Sequence, residues 1–183
     1  MKFINIRLAA LCAVLAAVLS TAALAKGIPF NSDDALRAPE VPCADLNVPD
    51  GNKVAYRAYA SGIQEYWWNG TVWGFVGPEA DLFADPGFHG KIGRHYGGPT
   101  WRSNSGSLVI GRRIASCSAD PGSVPWLLLE ADETDGSGIF SKTTYIQRVN
   151  TSGGIAPTTP GSYDGQRVDV PYTAEYYFYR AQG

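Results

Sequence analysis

Five residues able to do acid–base or metal chemistry fall inside one short segment of this chain. Its two histidines, His89 and His95, follow closely on Glu79, Asp81 and Asp85. Carboxylate with imidazole is a donor set that suits zinc or a similar ion. The spacing argues against such a site, because the histidines form no tight pair. His89 falls in the turn-like "DPGFHGK" and His95 in the strand-like "KIGRHY". No metal ligand is assigned. Glu79 and His95 could instead act as the acid–base pair of a hydrolase or isomerase, if both reach a shared pocket. Around His95 runs "HYGGPTW", two free-turning glycines and a φ-locked proline among three rings. The glycines and proline explain this stretch as a corner between two strands. Its rings could also meet a ligand, as Trp and Tyr faces meet a sugar. The candidate binding site is a rim pocket lined by Glu79, His95, Tyr96 and Trp101, with Trp126 and Arg148. No catalytic residue is assigned.

Several chemistries are excluded. There is no G-x-G-x-x-G between a strand and a helix, no P-loop, no H-E-x-x-H and no G-x-S-x-G. Without βαβ units a dinucleotide has no scaffold, and no cofactor is expected. The chain carries 15 basic and 17 acidic residues and no basic cluster. It is thus a poor partner for nucleic acid, whose binding rests on cationic contacts to phosphate. The partner expected is a carbohydrate or another small polar molecule with an apolar face.

The elements that must position these residues read as strands. "KVAYRAYA", "IQEYWW", "TVWGFV", "KIGRHY", "PTWRS", "SLVIGRRIA", "PWLLLEAD", "IFSKTTYIQRV", "QRVDV" and "YTAEYYFYR" are mostly rich in β-branched or aromatic residues, with Gly, Pro, Asn and Asp between them. Only "PEADLFAD" (78–85) reads as helical, one or two turns with Pro78 first. The fold class is all-β: one β-sandwich or closed barrel of about 8–10 mostly antiparallel strands over residues 53–183. Residues 26–52, broken by Pro29, Pro39, Pro42 and Pro49, form an irregular N-terminal arm on its surface. Asn69-Gly70 between apolar runs predicts a two-residue hairpin loop. That register sets Trp68 opposite Thr71, Tyr66 opposite Trp73 and Gln64 opposite Phe75. It gathers four rings on one face, which is expected to point inward.

The first residues read as an export signal. Lys2 and Arg7 precede the uncharged run Leu8–Leu19, and Ala23 and Ala25 supply the small-x-small pattern before a cut at Lys26. The run is too short to span a bilayer, which needs roughly twenty residues. A periplasmic or secreted protein with no integral membrane segment is therefore expected, residues 1–25 being removed. Cleavage takes Cys12 with it. Cys43 and Cys117 then have one way to pair, and a disulfide between them suits an oxidising compartment.

"VAYRAYASGIQEYWWNGTVWGFVGPEADLFAD", "HGKIGRHYGGPTWRSNSGSLVIG", "VPWLLLEA", "GIFSKTTYIQRVNTSGGIAPT" and "VPYTAEYYFY" together resemble the domain of unknown function 3455 family, found in exported proteins of bacteria and fungi. The likeness runs from about Pro42 to Tyr179. It implies a compact exported domain. It implies no activity and transfers no catalytic residue. The reading closest to the residues is a non-enzymatic binding or envelope-associated domain. The alternatives are the Glu79–His95 enzyme and a structural or stress-protective protein without a small ligand. Tight packing around Trp101 with no cavity beside it would favour the last of these.

Overall fold

Alternation with period two governs the chain from Asn52 onward. In a computed structural model, which describes residues 37–183, it produces eight antiparallel strands. They are β1 (Asn52–Trp68), β2 (Trp73–Phe83), β3 (Lys91–Tyr96), β4 (Thr100–Ser103), β5 (Leu108–Cys117), β6 (Trp126–Asp135), β7 (Tyr145–Gly153) and β8 (Arg167–Ala181). Each strand pairs with its sequence neighbours. β8 returns to β1 along a register from Asn52↔Ala181 to Trp67↔Arg167, and this closes the barrel. Closure leaves no sheet edge exposed. The expected export signal and the start of the expected arm lie outside the described residues.

Ten strand-like runs become eight strands because two pairs fuse, through Ser61-Gly62 in β1 and through Pro171 in β8. Pro171 lies just beyond the last β7 pair, Gly153↔Tyr172. The helix expected over residues 78–85 is not formed. Pro78, Ala80 and Leu82 are buried while Glu79 and Asp81 are not, so the segment alternates and continues β2. Pairing on both flanks, with β1 and β3, outweighs the local helix signal.

The first hairpin also departs from the expected register. Asn69 accepts from the amides of Thr71 and Val72 through its Oδ1, and its own amide donates to the Val72 carbonyl. The loop is therefore four residues long. Trp68 faces Trp73, and Tyr66 faces Phe75. The slip is two residues, so parity survives and the same four rings share a face. Tyr66 and Trp68 are buried on that face, while Phe75 stands exposed at the barrel's end.

Small residues inside the wall make room for large ones. Ala58, Ala60, Ala80 and Ala174 share the interior with Trp101, Tyr176, Phe178 and Phe140. Gly62 is indispensable to the β1–β2 seam: a Cβ there would sit 2.1 Å from the Glu79 carbonyl oxygen. Outside the wall, the arm covers β5 to β8. A 3₁₀ turn at Ala44–Leu46 buries Leu46 against Cys117 and Leu128. Gln147 Nε2 donates to the Leu46 carbonyl at 2.6 Å, and the Tyr179 hydroxyl donates to Gln147 Oε1. The Cys43–Cys117 disulfide pins the arm to the end of β5.

One end of the barrel is plugged. The β6–β7 connection folds Phe140 inward onto Phe178, with ring centroids 4.5 Å apart. Ser103, Ser105 and Ser107 form a hydroxyl chain beside it, and Ser107 Oγ accepts from the Phe140 amide. Among the described residues no helix is long and apolar enough to cross a membrane.

Candidate functional site

The other end is open. Four connections ring it: 69–72, 97–99, 118–125 and 154–166. The last lies across part of the opening. Tyr66 donates its hydroxyl to the Gly154 carbonyl at 2.7 Å, and Trp73 Nε1 donates to the Thr159 carbonyl at 2.9 Å. Gly154 holds φ at +80°, and a Cβ there would press on Gln64, Tyr172 and Val124, so only glycine lets this connection lie so close. Between the loops a cavity of about 410 Å³ runs into the barrel.

Its walls are mostly apolar, with Phe75, Val76, Pro99, Leu127 and Leu129 among them. Its polar groups come from six strands: Gln64 on β1, His95 on β3, the Trp101 indole on β4, Arg113 on β5, Arg148 on β7 and Tyr176 on β8. The interior faces of these strands converge there because every second residue points inward. Gln64 Nε2, Trp101 Nε1 and the Tyr176 hydroxyl are buried without a hydrogen-bond partner, as is the neighbouring Tyr172 hydroxyl. Gln64 and Tyr176 lie beside the Tyr172 hydroxyl, and Tyr172 and Arg148 beside that of Tyr176, near enough to act on these two phenols although none of the contacts reaches hydrogen-bond geometry. Such atoms are costly when left alone in a folded interior.

His95 is fixed from three sides. Nδ1 lies 2.9 Å from the Thr100 carbonyl. A carbonyl only accepts, so Nδ1 carries the hydrogen and Nε2 keeps a bare lone pair. The ring lies flat on Trp101 at 4.4 Å and meets Tyr176 edge-on at 5.1 Å. Burial pushes its pKa down to about 3; the Thr100 contact opposes this and the Arg148 charge reinforces it. The imidazole is therefore neutral at physiological pH. Burial likewise raises the Tyr176 hydroxyl, which stays protonated.

Arg148 is a buried cation held by backbone. Nε and Nη2 donate to the Pro125 carbonyl at 3.1 and 2.8 Å. Among the described residues no carboxylate forms an ion pair with it. Arg113, exposed at the rim, has no such partner either. Neither Asp nor Glu lines the cavity.

Of the six residues singled out from sequence, His95, Trp101 and Arg148 line this cavity, and Glu79, Tyr96 and Trp126 do not. Ala80 pairs with His95, and Glu79 with Tyr96. Glu79 is exposed on the outer face while His95 is buried inside, so the barrel wall separates them. The shared pocket that an acid–base pair needs is not formed. Trp126 packs outside the barrel beside Cys117 and beneath the arm. Trp101 lines the cavity, but its face is taken by His95 and its ring meets Tyr176 and Phe178, which leaves no flat platform for a sugar ring. His89 sits in the exposed β2–β3 turn, 3.1 Å from Asp85 Oδ1 and away from His95. Among the described residues no three His, Cys, Asp or Glu side chains converge as a metal site.

Gln64, Phe75, Leu127 and Tyr176 were missed. Gln64 did leave a signal: it follows Ala58, Ala60 and Gly62 at inward parity, a polar residue where the pattern asks for an apolar one. No curated protein and no solved structure matches the chain. A family model does, over residues 49–180, which span the barrel from just before β1 almost to the end of β8. The eight-stranded barrel with its one open end thus belongs to the family described as "Protein of unknown function (DUF3455)".

Proposed function

We propose that this chain is an exported, non-enzymatic binding protein that holds a small ligand in the open end of its barrel. The observation that carries the reading is the cavity of about 410 Å³, with unpartnered polar atoms of Gln64, Trp101 and Tyr176 among its lining residues. Small-molecule sites have this form: concave, mostly apolar, with a few convergent polar groups that fix orientation. A purely structural role would favour an interior packed shut around Trp101, as it is around Phe140 at the other end. Catalysis by Glu79 with His95 loses its basis, since the two residues share no pocket. Export is supported by the leader-like first 25 residues and by the Cys43–Cys117 disulfide, which suits the periplasm or the extracellular space. The ligand is a small polar molecule with an apolar face. Its apolar part lies against Phe75, Pro99 and Leu127, and its polar part against the inner groups.

The test is a ligand screen on the mature domain, read by amide chemical shifts and tryptophan emission. The expected result is a set of shifts confined to Gln64, Gly97, Gly98, Leu127 and Arg148. Leu127→Trp, which fills the cavity, should abolish them. If no member of a broad panel of glycans, organic acids, alcohols and amines moves those resonances, the binding reading fails. Shifts that persist unchanged in Leu127→Trp would also defeat it.

A further inference from the structure

The chemistry of the cavity is one-sided. Two arginines line it and no carboxylate does, in a chain whose acidic residues outnumber its basic ones. Arg148 is nine-tenths buried. A guanidinium has five N–H donors, and this one meets a single backbone carbonyl through Nε and Nη2. A buried cation without an opposite charge is strongly disfavoured unless something supplies that charge. The unpartnered atoms around it agree. Trp101 Nε1 and Gln64 Nε2 only donate, and the Tyr176 hydroxyl can donate. The acceptors in the group are His95 Nε2 and Gln64 Oε1.

Resting on the binding reading above, the geometry points to an apolar monocarboxylate as the ligand, its carboxylate on Arg148 and its hydrocarbon or aromatic body toward Phe75 and Leu127. One negative charge balances one buried guanidinium, and the planar fork of Arg matches the two oxygens of a carboxylate. A phosphate monoester would bring nearly two charges to that single buried cation. Donors from Gln64, Trp101 and Tyr176 are available to the lone pairs that Arg148 leaves open. Arg113 stands at the rim, where it can draw an anion inward.

The test uses the mature protein and a matched series of probes. Straight-chain bodies from butanoate to decanoate and phenylalkyl bodies are each taken as carboxylate, primary alcohol and phosphate monoester. Affinity is measured by calorimetry, and probe-induced rise in melting temperature is recorded in parallel. The carboxylates should bind about tenfold to a hundredfold more tightly than their alcohols, as a charge-assisted hydrogen bond implies. Arg148→Gln should erase that preference. Arg148→Lys, which keeps the charge but loses the fork, should keep part of it. Lys142→Gln, on the exposed connection at the plugged end, should leave it intact. If Arg148→Gln does not fold, the wild-type comparison decides by itself: at equal concentration the carboxylates should raise the melting temperature more than their alcohols or phosphate esters do. Alcohols that bind as well as carboxylates would overturn the anionic assignment while leaving the binding reading standing. Phosphate esters that bind more tightly than carboxylates would overturn it as well. If no carboxylate in the series binds better than millimolar, the assignment fails. The binding reading falls with it only if the broad panel is silent at the same resonances.

Discussion

The two ends of this barrel are made of similar material and finished differently. At the plugged end Phe140 is driven onto Phe178, and the polar groups answer one another: Ser103 contacts Ser105 and Ser107, and Ser107 accepts from the Phe140 amide. At the open end the aromatic residues are as numerous, yet Gln64, Trp101, Tyr172 and Tyr176 each keep a buried polar atom without a partner. A folded interior does not normally tolerate such a concentration, and exceptions gather where something else is meant to bind. The plugged end stabilises the barrel. On the proposed binding function, the open end gives up stability for recognition.

Substitutions should separate the two ends, and the largest effect belongs to the plug. Phe140→Ala should lower stability by about 3–5 kcal/mol, as large-to-small changes in a packed core do. Phe75→Ala, at an exposed ring on the open rim, should stay within about 0.5 kcal/mol. Urea midpoints at constant m-value give both numbers. A loss of more than 2 kcal/mol for Phe75→Ala would mean that the rim is core and the contrast false. Next comes the tie that holds the arm. Replacing Cys43 and Cys117 together by serine should cost about 2–4 kcal/mol, because a loop of 74 residues in sequence is freed in the unfolded chain. A double variant as stable as wild type would show that packing of Leu46 alone secures the arm.

On the way down from neutral pH, acid should act first on the open end, through His95. The folded-state pKa of His95 lies near 3, against 6.5 in an unfolded chain, so between these values the unfolded state binds more protons. Stability from this site is therefore complete above pH 6.5 and falls as the pH drops toward 3. The slope is at most about 1.4 kcal/mol per pH unit. His95→Gln should flatten that part of the profile. If the slopes of wild type and variant agree between pH 6.5 and 4, acid lability arises elsewhere.

Much of this was legible in the residues. Runs of β-branched and aromatic residues between turn residues identified the strands, and even the two-residue slip at Asn69-Gly70 left the same rings on the same face, because parity is blind to even shifts. Whether the sheet closes was not legible. Closure depends on β1 meeting β8, a pairing such as Lys53 with Arg180 that no local pattern announces. The helix expected at Pro78 was a local signal overruled by pairing on both flanks. The site was half legible, for one physical reason. His95 and Tyr96 are adjacent, so in a strand they cannot both point inward, and Glu79 stands one residue from the partner that pairs with His95. Composition drew neighbours together that the pleat then sent to opposite sides.

The smallest effect is the most discriminating, because its sign differs between the two ends. Ser107→Ala removes a hydroxyl that is fully used. It should cost about 1–2 kcal/mol, since the Phe140 amide and Ser103 each lose a partner. Tyr176→Phe removes a hydroxyl with no partner and keeps the ring against His95 and Trp101. It should leave stability unchanged or raise it by up to about 1 kcal/mol, because the desolvation penalty of that oxygen disappears. The same change should weaken binding of whatever the hydroxyl meets. A residue whose polar atom destabilises the empty protein and strengthens the occupied one is retained for its ligand. If Tyr176→Phe instead lost more than 1 kcal/mol without affecting any bound probe, the hydroxyl would be structural, and the open end would differ from the plugged end in shape alone.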